Sequence, residues 1–257
     1  MFGKKEKQAI ARLPPQHQAL LNDGALAVTQ SKEQWAELFR SLATPHPDIH
    51  RHRLPPRLMD VVVPIVRVLS EDASATSGIG VRLDLRGHEA PGKVGPSRDL
   101  PTHGNITKLS EATAWDPWFV LEGFLKDGSH LELSIVDVVR TRKIRKRSAS
   151  GKTKWKQKAK PAQRVSAKLT LDKGRGIAPP APSPATSWLK VAAKPKGPRF
   201  VITAQGKYQI PPNPQAGWQV NTVLLVVAEV FRWAAPLTPD GEVGAPPPMA
   251  PGAGGVA

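Results

Sequence analysis

The clearest pattern in the chain is a two-residue alternation. Between Trp118 and Val138, apolar residues recur at every second position on both sides of Lys126-Asp127-Gly128. That is the signature of two half-buried strands joined by a tight turn. A two-residue turn at Asp127-Gly128 sets Glu122 opposite Leu133, whereas a three-residue loop with Gly128 left-handed shifts the pairing by one. Phe119, Leu121, Gly123 and Leu125 then share a face with Leu131, Leu133 and Ile135. A slip of one residue exchanges the faces of a strand, so the register that yields one dry face is the expected one. Burying its six large side chains is worth on the order of 10 kcal/mol gross, at about 1.5–3 each. Val81, Leu83 and Leu85 alternate with Arg82 and Asp84 as a second half-buried strand. Arg199–Ile210 has strand character through Phe200, Val201, Ile202 and Tyr208. Asp60–Leu69 also reads as a strand, confined to an edge or bulge because Pro64 cannot donate a ladder bond.

Helical spacing is clearest after Ser31. Gln34 stands three residues on as a capping-box partner, and Trp35, Leu38, Phe39 and Leu42 follow before Pro45 and Pro47. Weaker helices are expected over Lys4–Leu13, ended by Pro14-Pro15, and over Gln16–Leu21, ended by Asn22-Asp23-Gly24. Near the C-terminus Asn213 and Pro214 suit a cap and first helical position, and Val220, Val223, Leu224, Val227 and Phe231 form a stripe. Val226 and Val230 make that segment apolar nearly all round, so a buried strand stays open as an alternative; length favours helix. Residues 46–56, His88–Gly104 and the Pro-rich Lys173–Pro198 read as connectors, and Pro236 onward as a disordered tail.

The expected fold is α+β. A mainly antiparallel sheet of hairpins, one extended as a basic ribbon, carries an N-terminal amphipathic helix and a C-terminal helix. The chain divides into an N-terminal segment (1–30), a core with the ribbon (31–172), a linker (173–198), a strand and helix completing the core (199–235), and a tail (236–257).

Charge changes the picture. The chain holds 37 Lys and Arg against 21 Asp and Glu, a net charge of +16, and its pI is about 10.4. Thirteen basic residues fall between Val138 and Leu171: Arg140, Arg142, Lys143, Arg145, Lys146, Arg147, Lys152, Lys154, Lys156, Lys158, Lys160, Arg164 and Lys168. No acid lies among them, and Asp137 and Asp172 close the stretch. Lysines at every second position from Lys152 to Lys160 share one face of an extended strand, while a helix scatters them. Ile135–Arg147 is rich in β-branched residues, and Ser148-Ala149-Ser150-Gly151 has the composition of a turn. Pairing across that turn sets Arg147 opposite Lys152, Arg145 opposite Lys154 and Lys143 opposite Lys156. Like charges directly opposite cost roughly 0.2–1 kcal/mol per pair. Ile144 against Trp155 is the one apolar pair on the reverse face. Such a ribbon is expected to fray at its tip or to take up an anion.

Other chemistry is sparse. Without cysteine there is no disulfide, thiolate metal site or cysteine nucleophile, which fits a reducing, cytoplasmic setting. No signal peptide is recognisable, and the longest apolar run, Val223–Val227, is far short of a membrane span. His46, Asp48, His50 and His52 cluster in sequence, but Pro47 prevents a regular helix and Arg51 and Arg53 oppose a divalent cation; no metal or cofactor is expected. Gly78-Ile79-Gly80 reads as a turn entering a strand, and no nucleophile elbow, phosphate loop or dinucleotide fingerprint is present. Glu122, Glu132 and Asp137 are explained more simply by charge neutralisation than by catalysis. Trp115, Trp118, Trp188, Trp218 and Trp233 read as packing residues, whereas Trp155 amid the lysines suits either packing or base stacking. The expected function is therefore non-enzymatic binding of a polyanion. The partner is DNA or RNA gripped through its phosphates by the basic residues from Arg140 to Lys160 and by Trp155, or alternatively an acidic protein on which the arm orders.

Overall fold

The computed structural model describes residues 3–49, 54–148, 150–178, 186–211, 215 and 217–234. Its helices are α1 (Lys4–Ile10), α2 (Pro15–Asn22), α3 (Lys32–Ala43), α4 (Val63–Ser70) and α5 (Trp218–Arg232), with a π-helical turn at Leu58–Val62 leading into α4. Its strands are β1 (Ala25–Gln30), β2 (Ile79–Asp84), β3 (Arg98–Asp99), β4 (Ile106–Phe124), β5 (His130–Arg147), β6 (Thr153–Thr170), β7 (Leu189–Lys196) and β8 (Arg199–Gln209). All pair antiparallel in one sheet, in the order β1-β2-β4-β5-β6-β8-β7, with β3 on the flank of β4. The fold is thus α+β and mainly antiparallel.

The root of the sheet is the hairpin of β4 and β5. Phe119 stands opposite Ile135, Leu121 opposite Leu133 and Gly123 opposite Leu131, the dry-face register. Gly128 adopts φ 79° in the loop, and the Leu125 N–H closes the turn on the Ser129 carbonyl. β6 continues the face with Val165, Ala167 and Leu169, and β8 adds Ile202 and Ala204. Val223, Val226 and Val230 of α5 and Ile65 and Val66 of α4 are fully buried against this face. α3 starts at the reciprocal capping box of Ser31 and Gln34 and joins the core through Trp35, Leu38 and Phe39; the buried Trp35 indole N–H donates to the Ile79 carbonyl. The opposite, open face of the sheet carries no helix among the described residues.

Asp60–Leu69 is helical, not extended. Val61, Val62, Val63, Ile65, Val66 and Leu69 are all buried, and a helix buries that many apolar side chains against several neighbours at once. Pro64 lies in the first turn of α4, where a missing N–H is tolerated. β-branched composition is a weaker force than this burial.

Part of the expected linker, Leu189–Lys196, is strand β7 at the sheet edge. Lys190, Lys194, Pro195 and Lys196 blunt that edge, which is also why the segment reads as a connector. Ala25–Gln30, unassigned from sequence, pairs with β2 as β1. Asn213 and Pro214 lie outside the described residues, as does the expected tail; α5 begins after Gly217.

Candidate nucleic-acid interface

Beyond the root, β4, β5 and β6 run on together as a three-stranded blade. β4 pairs with β5 from Ile106 opposite Lys146, and β5 with β6 from Arg147 opposite Thr153. The first half of β4 has no clear sequence signature, and it supplies the backing that a two-stranded ribbon lacks. The arm is thus a blade of three strands in place of the two-stranded ribbon expected.

The pairing of β5 with β6 differs by one residue from the expected register. Lys154 stands opposite Lys146, Lys156 opposite Ile144, Lys158 opposite Arg142 and Lys160 opposite Arg140. The root decides this. Ile135 opposite Val165 and Leu133 opposite Ala167 keep the apolar face dry, and one residue of slip places Arg164 and Ser166 there instead. Opposite residues share a face, so the basic residues divide. Arg140, Arg142, Lys146, Lys154, Lys156, Lys158 and Lys160 lie on the open face of the sheet. Lys143, Arg145, Arg147 and Trp155 lie on the reverse side of the blade, and Lys152 belongs to the turn. Ile144 and Trp155 are thus on different faces, which removes the expected pair. Ile144 is buried opposite Leu109, whereas Trp155 is 61% exposed with the Arg145 guanidinium 6.0 Å from its ring centre.

Among the described residues, Glu111 and Glu132 reach basic residues of the open face. Glu111 accepts from Arg98 at 2.8 Å and from Arg142 at 2.7 Å, and these bonds, that of Arg98 first, hold its carboxyl below the ordinary range. Glu132 pairs with Lys168 at 2.6 Å and stands opposite Glu122. Lys152, Lys154, Lys156, Lys158 and Lys160 are all exposed, and among the described residues none has an acidic partner.

A bulge in β4 at Trp118 governs what else joins this surface. The register shifts between Pro117 and Phe119, so Trp118 and Phe119 are both buried. Upstream of the bulge the alternation inverts, and Glu111, Thr113 and Trp115 come to the open face. Trp118 packs as expected under the Arg57 guanidinium, 4.8 Å from its ring centre. Trp115 does not: it is 45% exposed, with the Arg164 guanidinium 4.6 Å from its ring centre. Arg98, Lys207 and Lys190, outside the basic stretch, also line the troughs on this side. A bulge leaves no reliable mark in the sequence, so Trp115 could not be placed in advance.

Asp116 and Asp137 face each other on the core side. Lys93 Nζ lies 2.5 Å from Asp116 and 2.9 Å from Asp84, and Arg57 lies 3.7 Å from Asp116 and 3.5 Å from Asp137. Gln163 donates to Asp137 at 2.7 Å and accepts from the Tyr208 hydroxyl. Burial raises the Asp137 carboxyl, against the pull of Gln163, Trp118 and Arg57, while the Arg86 bond, followed by Lys93, depresses Asp84. This is a buried ion network at the base of the blade. It separates Asp137 from Glu122 and Glu132, which lie on the opposite face. Among the described residues no set of three metal-binding side chains converges; His50 and His52 lie outside them. No described helix is long and apolar enough to cross a membrane. The chain matches no family model, no curated protein and no solved structure with which it was compared.

Proposed function

We propose that the blade of β4, β5 and β6 binds nucleic acid through its phosphate backbone, with little reading of base sequence and no catalysis. One observation carries this reading: Lys154, Lys156, Lys158 and Lys160 project from one face of a formed strand with no acid paired to them among the described residues. Arg140 and Lys146 extend the same row. Concentrated cations of this kind displace condensed counterions from a phosphate backbone, which supplies affinity independent of sequence. Arg140 suits a bidentate phosphate contact, and the lysines act as point charges. Arg142 is already shared with Glu111 and contributes less.

The test is a gel shift of the full chain against the variant K154E/K156E/K158E at two salt concentrations. With about six phosphates neutralised, log affinity for duplex DNA falls against log salt with a slope of about 5. The variant lowers both affinity and slope. A wild-type slope near zero rejects the mechanism, and an acidic protein that co-purifies with the chain in place of nucleic acid transfers the surface to a protein partner.

A further inference from the structure

We infer that the open face of the sheet at Trp115 is a stacking site for unpaired nucleotide bases, so that the protein holds single strands by a contact that duplexes cannot make. The inference rests on the polyanion reading of the blade and adds a partner class to it. Trp115 lies where the blade meets the root of the sheet, beside the row of cations and on the same face. A trough of about 590 Å³ runs past it, lined by Arg98, Thr113, Arg140, Lys160 and Arg164 among others. A second trough of about 660 Å³ shares Trp115, Arg164 and Lys207 with the first. The one carboxylate in the lining, Glu111, is already held by Arg98 and Arg142. A strand laid along the lysines therefore passes over a wide, positively charged hollow with an aromatic ring in its floor.

That combination fits an unpaired base. A large aromatic left 45% exposed on a sheet face has lost the burial that usually accounts for it. The Arg164 guanidinium parallels what a base does, since both are planar groups that stack on indole. Arg164 either remains as a second layer under the base or swings to the phosphate, and each arrangement keeps the charge in the trough. In a duplex the base faces are occupied by their own neighbours, so Trp115 has nothing to stack on. Cationic grooves with aromatic platforms are the general means of holding single strands, and stacking of this kind tolerates any base.

The experiment measures binding of the full chain to a fluorescent oligo(dT), an oligo(U) of the same length and a DNA duplex of that length, for the wild type, Trp115→Leu and Trp115→Phe. Trp115→Leu is expected to weaken both single strands about tenfold, to leave duplex affinity within about twofold, and to leave the salt slope unchanged. Trp115→Phe keeps most of the single-strand affinity. Near-ultraviolet irradiation of the wild type with an oligonucleotide carrying 5-iodouracil is expected to give an adduct on Trp115, which decides the matter even where the leucine variant misfolds. An adduct on Trp155 alone, or equal losses for single strand and duplex, overturns the inference and leaves the blade reading intact. Failure of all three probes to bind overturns the blade reading itself.

Discussion

Lys93 is the residue whose environment constrains it most. Its ammonium group is nearly enclosed, held between Asp116 (1% exposed) and Asp84. Removing one partner of such a pair leaves a buried charge uncompensated, which costs about 3 kcal/mol or more. Lys93→Met is therefore expected to lower stability by about 3 kcal/mol in a denaturant titration, leaving Arg57 as the ion-pair partner of Asp116 among the described residues. The carboxylates also set a pH dependence. Asp84 and Glu111 are held below their ordinary values of 3.8 and 4.5, so each contributes stability above those values that is lost as pH falls through the depressed folded value. Asp137 is raised, so its contribution has the opposite sign: present below 3.8 and lost as pH rises through the folded value. The Asp84 shift is the largest of the three, so the melting temperature should fall as pH drops below 3.8, and Asp84→Asn should flatten that fall; an unchanged profile removes Asp84 from the account. Glu111→Gln should meanwhile tighten nucleic-acid binding severalfold, because Arg142 and Arg98 are released to phosphates, as a gel shift will show.

At the scale of elements, the strands that read clearly in the sequence are those with one wet face and one dry face. The hairpin through Lys126-Asp127-Gly128 is legible down to its register, because only one pairing buries Phe119, Leu121 and Leu133 together. The capping box of α3 is legible because it needs only neighbours in sequence. What could not be read has a physical reason in each case. The first half of β4, Ile-Thr-Lys-Leu-Ser-Glu-Ala-Thr-Ala from Ile106, has no regular apolar alternation, so its strand character comes from pairing with β5 and not from its own composition. β7 carries the lysines and proline of a protected edge, which look like a linker. The register of β6 is set some distance from its charged end, by Val165, Ala167 and Leu169, so the residues flanking the turn do not carry it and the pairing differs from theirs by one residue. The blade depends on the apolar contact that survives near its tip. Ile144→Ala, at a position 8% exposed and opposite Leu109, should cost the arm about 2 kcal/mol. Amides of Arg140–Arg147 should then exchange roughly thirtyfold faster while those of Leu131–Ile135 are unaffected. Equal acceleration in both places would mean that arm and root unfold as one unit.

Across the whole molecule, the proposed binding of a polyanion can rest on net charge or on its placement. A charge of +16 attracts any anion at long range and speeds encounter at low salt wherever the charges lie. Placement adds more: cations fixed on one face of a strand, about 7 Å apart, track a phosphate backbone in a way that scattered charge cannot. Two triple variants separate these ideas. K154E/K156E/K158E and K4E/K5E/K7E each change three charges by two and take the net charge from +16 to +10. The first strips the blade, and the second alters exposed positions on α1, outside the sheet. If net charge governs binding, the two lose affinity alike. If the blade governs, the first loses at least tenfold more at 150 mM salt and also lowers the salt slope by about 3, one for each phosphate contact removed, while the second mainly slows association. Stopped-flow association and equilibrium titration on the same probe read both quantities. A blade variant that binds as well as the α1 variant would leave the arrangement of these lysines without a function in binding.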